Sequence, residues 1–167
     1  MRLKKLLAEG QFRRHRTSPR EISELFAVVE HDLKDANQPA LSLDRRFATA
    51  YNAALQLATV ALHAAGYRTG GQGHHWATLH VLPEIMGSKT QKLSDYLDAC
   101  RTKRVMSQTM IEPAKFRKLK SLKSWMKSEN FVGIWSSGSE AVNPIYFPMN
   151  NRSTEKIKVW IWTAGDE

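Results

Sequence analysis

The chain has 167 residues, 42% of them hydrophobic, which argues against wholesale disorder and leaves room for one domain with a real core. Its formal charge of +9 favours an anionic partner, nucleic acid being the commonest kind, or a solvated basic surface. A single cysteine, Cys100, excludes an intrachain disulfide and a cysteine-based zinc site, and fits a reducing, cytoplasmic setting.

Met1 to Leu7 starts like a signal peptide, but Leu6 and Leu7 form too short an apolar run for an h-region. The stretch before residue 18 reads as a short basic helix and an arginine-rich turn. There Arg13, Arg14, His15 and Arg16 form either a solvated connector or a phosphate contact. Ser18, Pro19 and Glu21 then open a second helix: a capping hydroxyl, a proline suited to the first helical position, and a glutamate able to close the capping box. Ile22, Leu25, Phe26, Val29 and Leu33 give it an apolar stripe up to about Ala36.

A central helix is expected over Leu43 to Gly66, with Ser42 as N-cap, Asp44 suiting the macrodipole and Gly66 as the stop. It is rich in alanine and apolar over most of its circumference, as a helix buried among others must be. Asn52, Gln56 and His63 interrupt its apolar run, so it does not read as a membrane span.

The stretch Tyr67 to Gly73 lacks P-loop spacing and reads as a turn between antiparallel helices. His74 and His75 are placed to cap a third helix, which Pro83 bends or shortens before Gly87. As neighbours in a loop they are candidates for phosphate contact or for capping. They point in different directions, and His80 lacks an i+4 histidine, so no metal ligand set and no cofactor site is read from the sequence. Ser88 and Gln91 repeat the capping-box spacing ahead of a fourth helix ending near Arg104. Asp95 and Asp98 are spaced to pair with Arg101 or Arg68. Trp76 and Tyr96 read as core rather than as base-stacking platforms. Arg101, Lys103 and Arg104 crowd one helix end, as a C-terminal basic cap or as phosphate contacts.

Beyond Arg104 the character changes. Trp125, Trp135, Trp160 and Trp162 gather there, whereas no histidine follows His80. Phe116, Leu119, Leu122, Trp125 and Met126 mark one amphipathic segment near 112–128. Ile157 to Trp162 reads as a strand without a partner. The expected fold is therefore an all-α antiparallel bundle over 1–104, followed by an irregular tail over 105–167.

The segments FATAYNAALQLATVALHAAGYRT, GHHW and LSDYLDACRTKR resemble the bacterial HEPN (higher eukaryotes and prokaryotes nucleotide-binding) family. The resemblance covers about residues 1–104. It implies a small helical bundle that usually forms a homodimer. It also implies relatives that cleave RNA as toxins or pair with nucleotidyltransferase antitoxins. The family's arginine falls by position on Arg104, which would stabilise charge on a scissile phosphate; Arg68, Arg101, Lys103, His74 and His75 are the accompanying phosphate candidates. The histidine or tyrosine expected a few positions later is missing from Val105 to Met110. The resemblance thus implies either an RNA-processing module with an incomplete catalytic motif or a non-catalytic module that docks nucleic acid or a nucleotidyltransferase. Back-translating residues 105–132 and sliding the frame by one base yields N-E-S-D-Y-D-R-A-G, which restores a polar residue and a tyrosine. An out-of-frame tail, and with it a degraded gene product, is the third reading. A missing fifth segment would leave part of the central helix uncovered, with marginal stability or oligomerisation as the expected consequence.

Overall fold

The computed structural model describes residues 2–71 and 74–106, the last four of them by backbone alone. The segment near 112–128 and the strand expected at 157–162 lie outside the described residues. Within them the chain is mostly helical, in the order α1 (Arg2–Ala8), β1 (Phe12–Arg14), α2 (Pro19–Ala36), α3 (Leu43–Ala64), β2 (Tyr67–Thr69), α4 (His74–Met86) and α5 (Gln91–Met106).

The helix boundaries follow local chemistry. The Ser18 hydroxyl accepts the Glu21 N–H at 3.1 Å, and Pro19 occupies the first turn, where a missing N–H leaves nothing unsatisfied. The Ser42 hydroxyl accepts the Arg45 N–H at 3.4 Å to start α3. Gly66 ends that helix in the left-handed region, at φ 85°, with its N–H on the His63 carbonyl at 2.8 Å. A residue with a Cβ would be strained there.

α2 and α3 form an antiparallel hairpin whose register three contacts define. Arg46 Nε donates to the Ala36 carbonyl beside the connection, Asn52 Nδ2 donates to Asp32 further along, and His63 stands beside Glu21 at the far end. α3 lies at the centre of the core and packs against α2, α4 and α5. Its buried residues include Phe47, Ala50, Tyr51, Ala54, Leu55, Ala58 and Leu62, so the alanines let neighbouring helices close on it from several sides. Each fully buried leucine or phenylalanine contributes roughly 1.5–3 kcal/mol. Among the described residues the only large apolar side chain of α3 that is substantially exposed is Leu43.

Two features differ from the sequence expectation. The arginine-rich turn and the Tyr67 stretch are not plain connectors: they pair as a two-stranded antiparallel ribbon, Phe12 opposite Thr69, Arg13 opposite Arg68 and Arg14 opposite Tyr67. Three residues per strand are too few for alternation to register in sequence, and the pairing forms only because α2 and α3 return the chain to the same end of the bundle. Gly70 sits at the ribbon's close approach, where an added Cβ would lie 2.5 Å from the Gly10 carbonyl oxygen. At the other end Ser88 caps nothing. Residues Ser88–Thr90 form a single 3-10 turn, with the Thr90 hydroxyl donating to the Gly87 carbonyl at 2.8 Å, and α5 begins at Gln91. Pro83 does not shorten α4, which continues to Met86.

Candidate functional site

The ribbon concentrates positive charge. Arg13 and Arg68 stand directly opposite each other with exposed side chains, flanked by exposed Arg14 and Arg16. Arg13 donates to the Gly70 carbonyl at 3.1 Å, and the Arg14 guanidinium lies 5.8 Å from the Tyr67 ring centroid. Among the described residues none of the four meets a carboxylate. Like charges directly opposite on a ladder repel, and a two-stranded ribbon has little core to offset that. Such a surface is suited to an anion that bridges the two strands.

A second network joins α1, α4 and α5. Glu84, in the last turn of α4, accepts the backbone N–H groups of Arg2 and Leu3, the latter at 2.9 Å. α1 carries no acid in its own first turn, so a carboxylate from another helix serves its open N-terminus. Those two N–H bonds outweigh the desolvation that would raise the Glu84 carboxyl, and hold it below the ordinary range. One turn earlier, His80 Nδ1 is 2.9 Å from an Arg2 guanidinium nitrogen and His80 Nε2 is 3.3 Å from Asp98 Oδ2. A guanidinium only donates, so Nδ1 accepts and the ring proton sits on Nε2, facing Asp98. Arg101 Nε donates to the other Asp98 oxygen at 2.6 Å. Burial would raise the Asp98 carboxyl, but Arg101 and His80 together hold it low. With His80 placed between Arg2 and Asp98, this network ties α1 to the α4–α5 pair. Trp76 stacks on His80 at 4.7 Å between centroids and is 37% exposed, unlike the core position expected for it. Tyr96 is partly buried and packs against the core.

The third cluster was not legible in the sequence. His15, Glu21 and His63 come from the connector after β1, the first turn of α2 and the last turn of α3. His15 Nε2 lies 2.8 Å from Glu21 Oε2, and His63 Nδ1 lies 3.0 Å from Glu21 Oε1. The two imidazoles meet edge to face, 5.1 Å apart. Burial would raise the Glu21 carboxyl, but the His15 hydrogen bond, the two imidazole charges and the Ser18 N–H bring it below its ordinary value. Burial pushes His63 down, and the charges of His15 and Arg68 add to the effect against the opposing pull of Glu21. Spacings of six and forty-two residues follow no ligand signature; the antiparallel hairpin alone makes them neighbours.

The expected phosphate contacts are thus divided. Arg68 belongs to the ribbon, opposite Arg13. Arg101 is tied to Asp98. His74 and His75 form the first turn of α4, their rings 4.4 Å apart, with His74 Nδ1 3.3 Å from the Gly71 carbonyl oxygen. Lys103 and Arg104 fall in the last turns of α5, and their side chains lie outside the described residues. Among the described residues no helix is long and apolar enough to cross a membrane. Comparison with protein-family models, with curated proteins and with solved structures returns no match for this chain.

Proposed function

We propose that this protein is a HEPN-like helical module that binds RNA through the arginine ribbon without cleaving it. The observation that carries this reading is the pairing of Arg13 with Arg68, exposed and uncompensated by any described carboxylate. Arg14 and Arg16 extend the same basic strip, and the partly exposed Trp76 is an aromatic on which a base can stack. In this reading Arg101, Lys103 and Arg104 supply further phosphate contacts from the end of α5. Cleavage is left out because transition-state charge at Arg104 would lack the histidine or tyrosine that the family resemblance requires. A homodimer and a nucleotidyltransferase partner fit the same resemblance and remain part of the proposal.

The test is the affinity of the full chain for a fluorescein-labelled single-stranded RNA, measured by anisotropy over a series of salt concentrations. The expected result is binding that weakens steeply with salt, and a salt slope about 0.7 shallower for Arg68→Gln, one phosphate contact fewer. Absence of binding at low salt, or binding indifferent to Arg68→Gln, overturns the RNA reading. RNA cleavage that Arg104→Ala abolishes overturns the non-catalytic half of it.

A further inference from the structure

The His15–Glu21–His63 cluster is not used by the reading above, and its atoms converge. One ligand atom from each residue lies within 4.8 Å of the other two. All three side chains are partly buried, so solvent reaches the cluster without flooding it. His63 Nδ1 is buried, 3.0 Å from Glu21 Oε1, and among the described residues no other group stands in hydrogen-bonding geometry to it. That same carboxylate oxygen is 2.9 Å from His15 Nε2, so two imidazole nitrogens and one carboxylate oxygen are spaced to share a cation. The scaffold around them is fixed from both sides. His15 N–H donates to the Gly66 carbonyl at 2.9 Å, and the Thr17 hydroxyl donates to the His63 carbonyl at 2.5 Å. These bonds fasten the connector to the end of α3 and set both imidazoles over the first turn of α2.

We propose that His15 Nε2, His63 Nδ1 and a Glu21 carboxylate oxygen bind one divalent transition-metal ion, for which zinc(II) is the best match, with a fourth position left to solvent. Two imidazoles and one carboxylate are a recurrent set for zinc with an open coordination position. Metal–ligand bonds of about 2.0–2.1 Å require ligand atoms about 3.3 Å apart in a tetrahedral shell. Both imidazole nitrogens already stand near one oxygen, Glu21 Oε1, at 2.9 and 3.0 Å, and side-chain rotation would bring all three ligand atoms, now within 4.8 Å of one another, to that spacing. The ion would tie β1's exit, the start of α2 and the end of α3 into one unit, locking the ribbon to the α2–α3 hairpin.

The experiment is a zinc titration of the chelator-treated full chain by calorimetry, alongside Glu21→Gln, His15→Gln and His63→Gln. His31→Gln, a substitution at an exposed α2 histidine remote from the cluster's contacts, serves as control. The expected result is one zinc per chain, binding weakened at least about tenfold in each of the three variants and unchanged in the control. Helical circular dichroism identifies any variant that fails to fold; the two variants at His15 and Glu21 then carry the comparison. Cobalt(II) substitution of the wild type gives an independent reading: visible d–d bands without a sulfur-to-metal charge-transfer band are expected. No stoichiometric zinc, equal binding in the folded variants, or a sulfur signature from Cys100 overturns the proposal.

Discussion

Ser94 donates its hydroxyl proton to the carbonyl of Leu79 at 2.8 Å, inside the α4–α5 contact. That carbonyl is the one Pro83 deprives of its helical partner, since proline four residues on has no N–H to give. Ser94 is fully buried, so water does not substitute for it. A hydroxyl from one helix thus repairs the break that a proline makes in the next, which is why α4 continues to Met86.

Ser94→Ala should therefore cost about 1–3 kcal/mol, the penalty for a buried carbonyl left without a donor. Pro83→Ala restores the missing N–H. In that background Ser94→Ala should cost much less, giving a coupling of at least about 1 kcal/mol in a double-mutant cycle read by urea denaturation. Additive losses would show that the hydroxyl does not replace the proline's absent bond.

Gly70 and Gly71 are adjacent but differ in their surroundings. An added Cβ at Gly70 would strike the Gly10 carbonyl oxygen at 2.5 Å, whereas at Gly71 nothing among the described residues lies within 4 Å. Gly70→Ala should destabilise by about 1–3 kcal/mol through forced separation of the ribbon. Gly71→Ala should be near neutral, within about 0.5 kcal/mol. The denaturation midpoints of the two variants make the comparison.

The pH dependence at Asp98 has a definite sign. Arg101 and His80 hold its carboxyl below the ordinary value of 3.8, against the opposing effect of burial. A carboxyl with a lowered folded-state value stabilises the fold above the unfolded value, and that contribution disappears as pH falls through the folded one. Asp98→Asn should lower the thermal midpoint at pH 7, by the equivalent of under about 1 kcal/mol for this partly exposed pair. Near pH 3 and below, the gap to wild type should narrow. A gap that stays constant in acid would mean the carboxylate charge plays no part.

Arg68 should show opposed effects on stability and binding. Relieving the like-charge pair with Arg13 by Arg68→Gln should stabilise the fold by about 0.2–1 kcal/mol. On the proposed function the same variant should bind RNA more weakly, because it removes one phosphate contact. Gains in both properties would point away from a nucleic-acid surface.

The sequence by itself determined the helices that carry their own signals. Ser18 with Pro19, Ser42, and Gly66 mark helix ends through bonds made within a few residues, so caps were legible from local order alone. The burial of α3 was legible too, because alanine and leucine spread around most of its circumference. The pairing of Asp98 with Arg101 follows from helical spacing in the same way. Tertiary structure alone decided the rest. Phe12 to Arg14 and Tyr67 to Thr69 become strands only when the α2–α3 hairpin returns the chain to its starting end. Glu84 serves the open N-terminus of α1 from 82 positions away, and Ser94 serves Leu79 from 15. Glu21 reads in sequence as a capping residue, yet its carboxylate is shared between His15 and His63. Local bonding is written in neighbouring residues; a cluster drawn from three segments exists only once packing has chosen which ends of the helices meet.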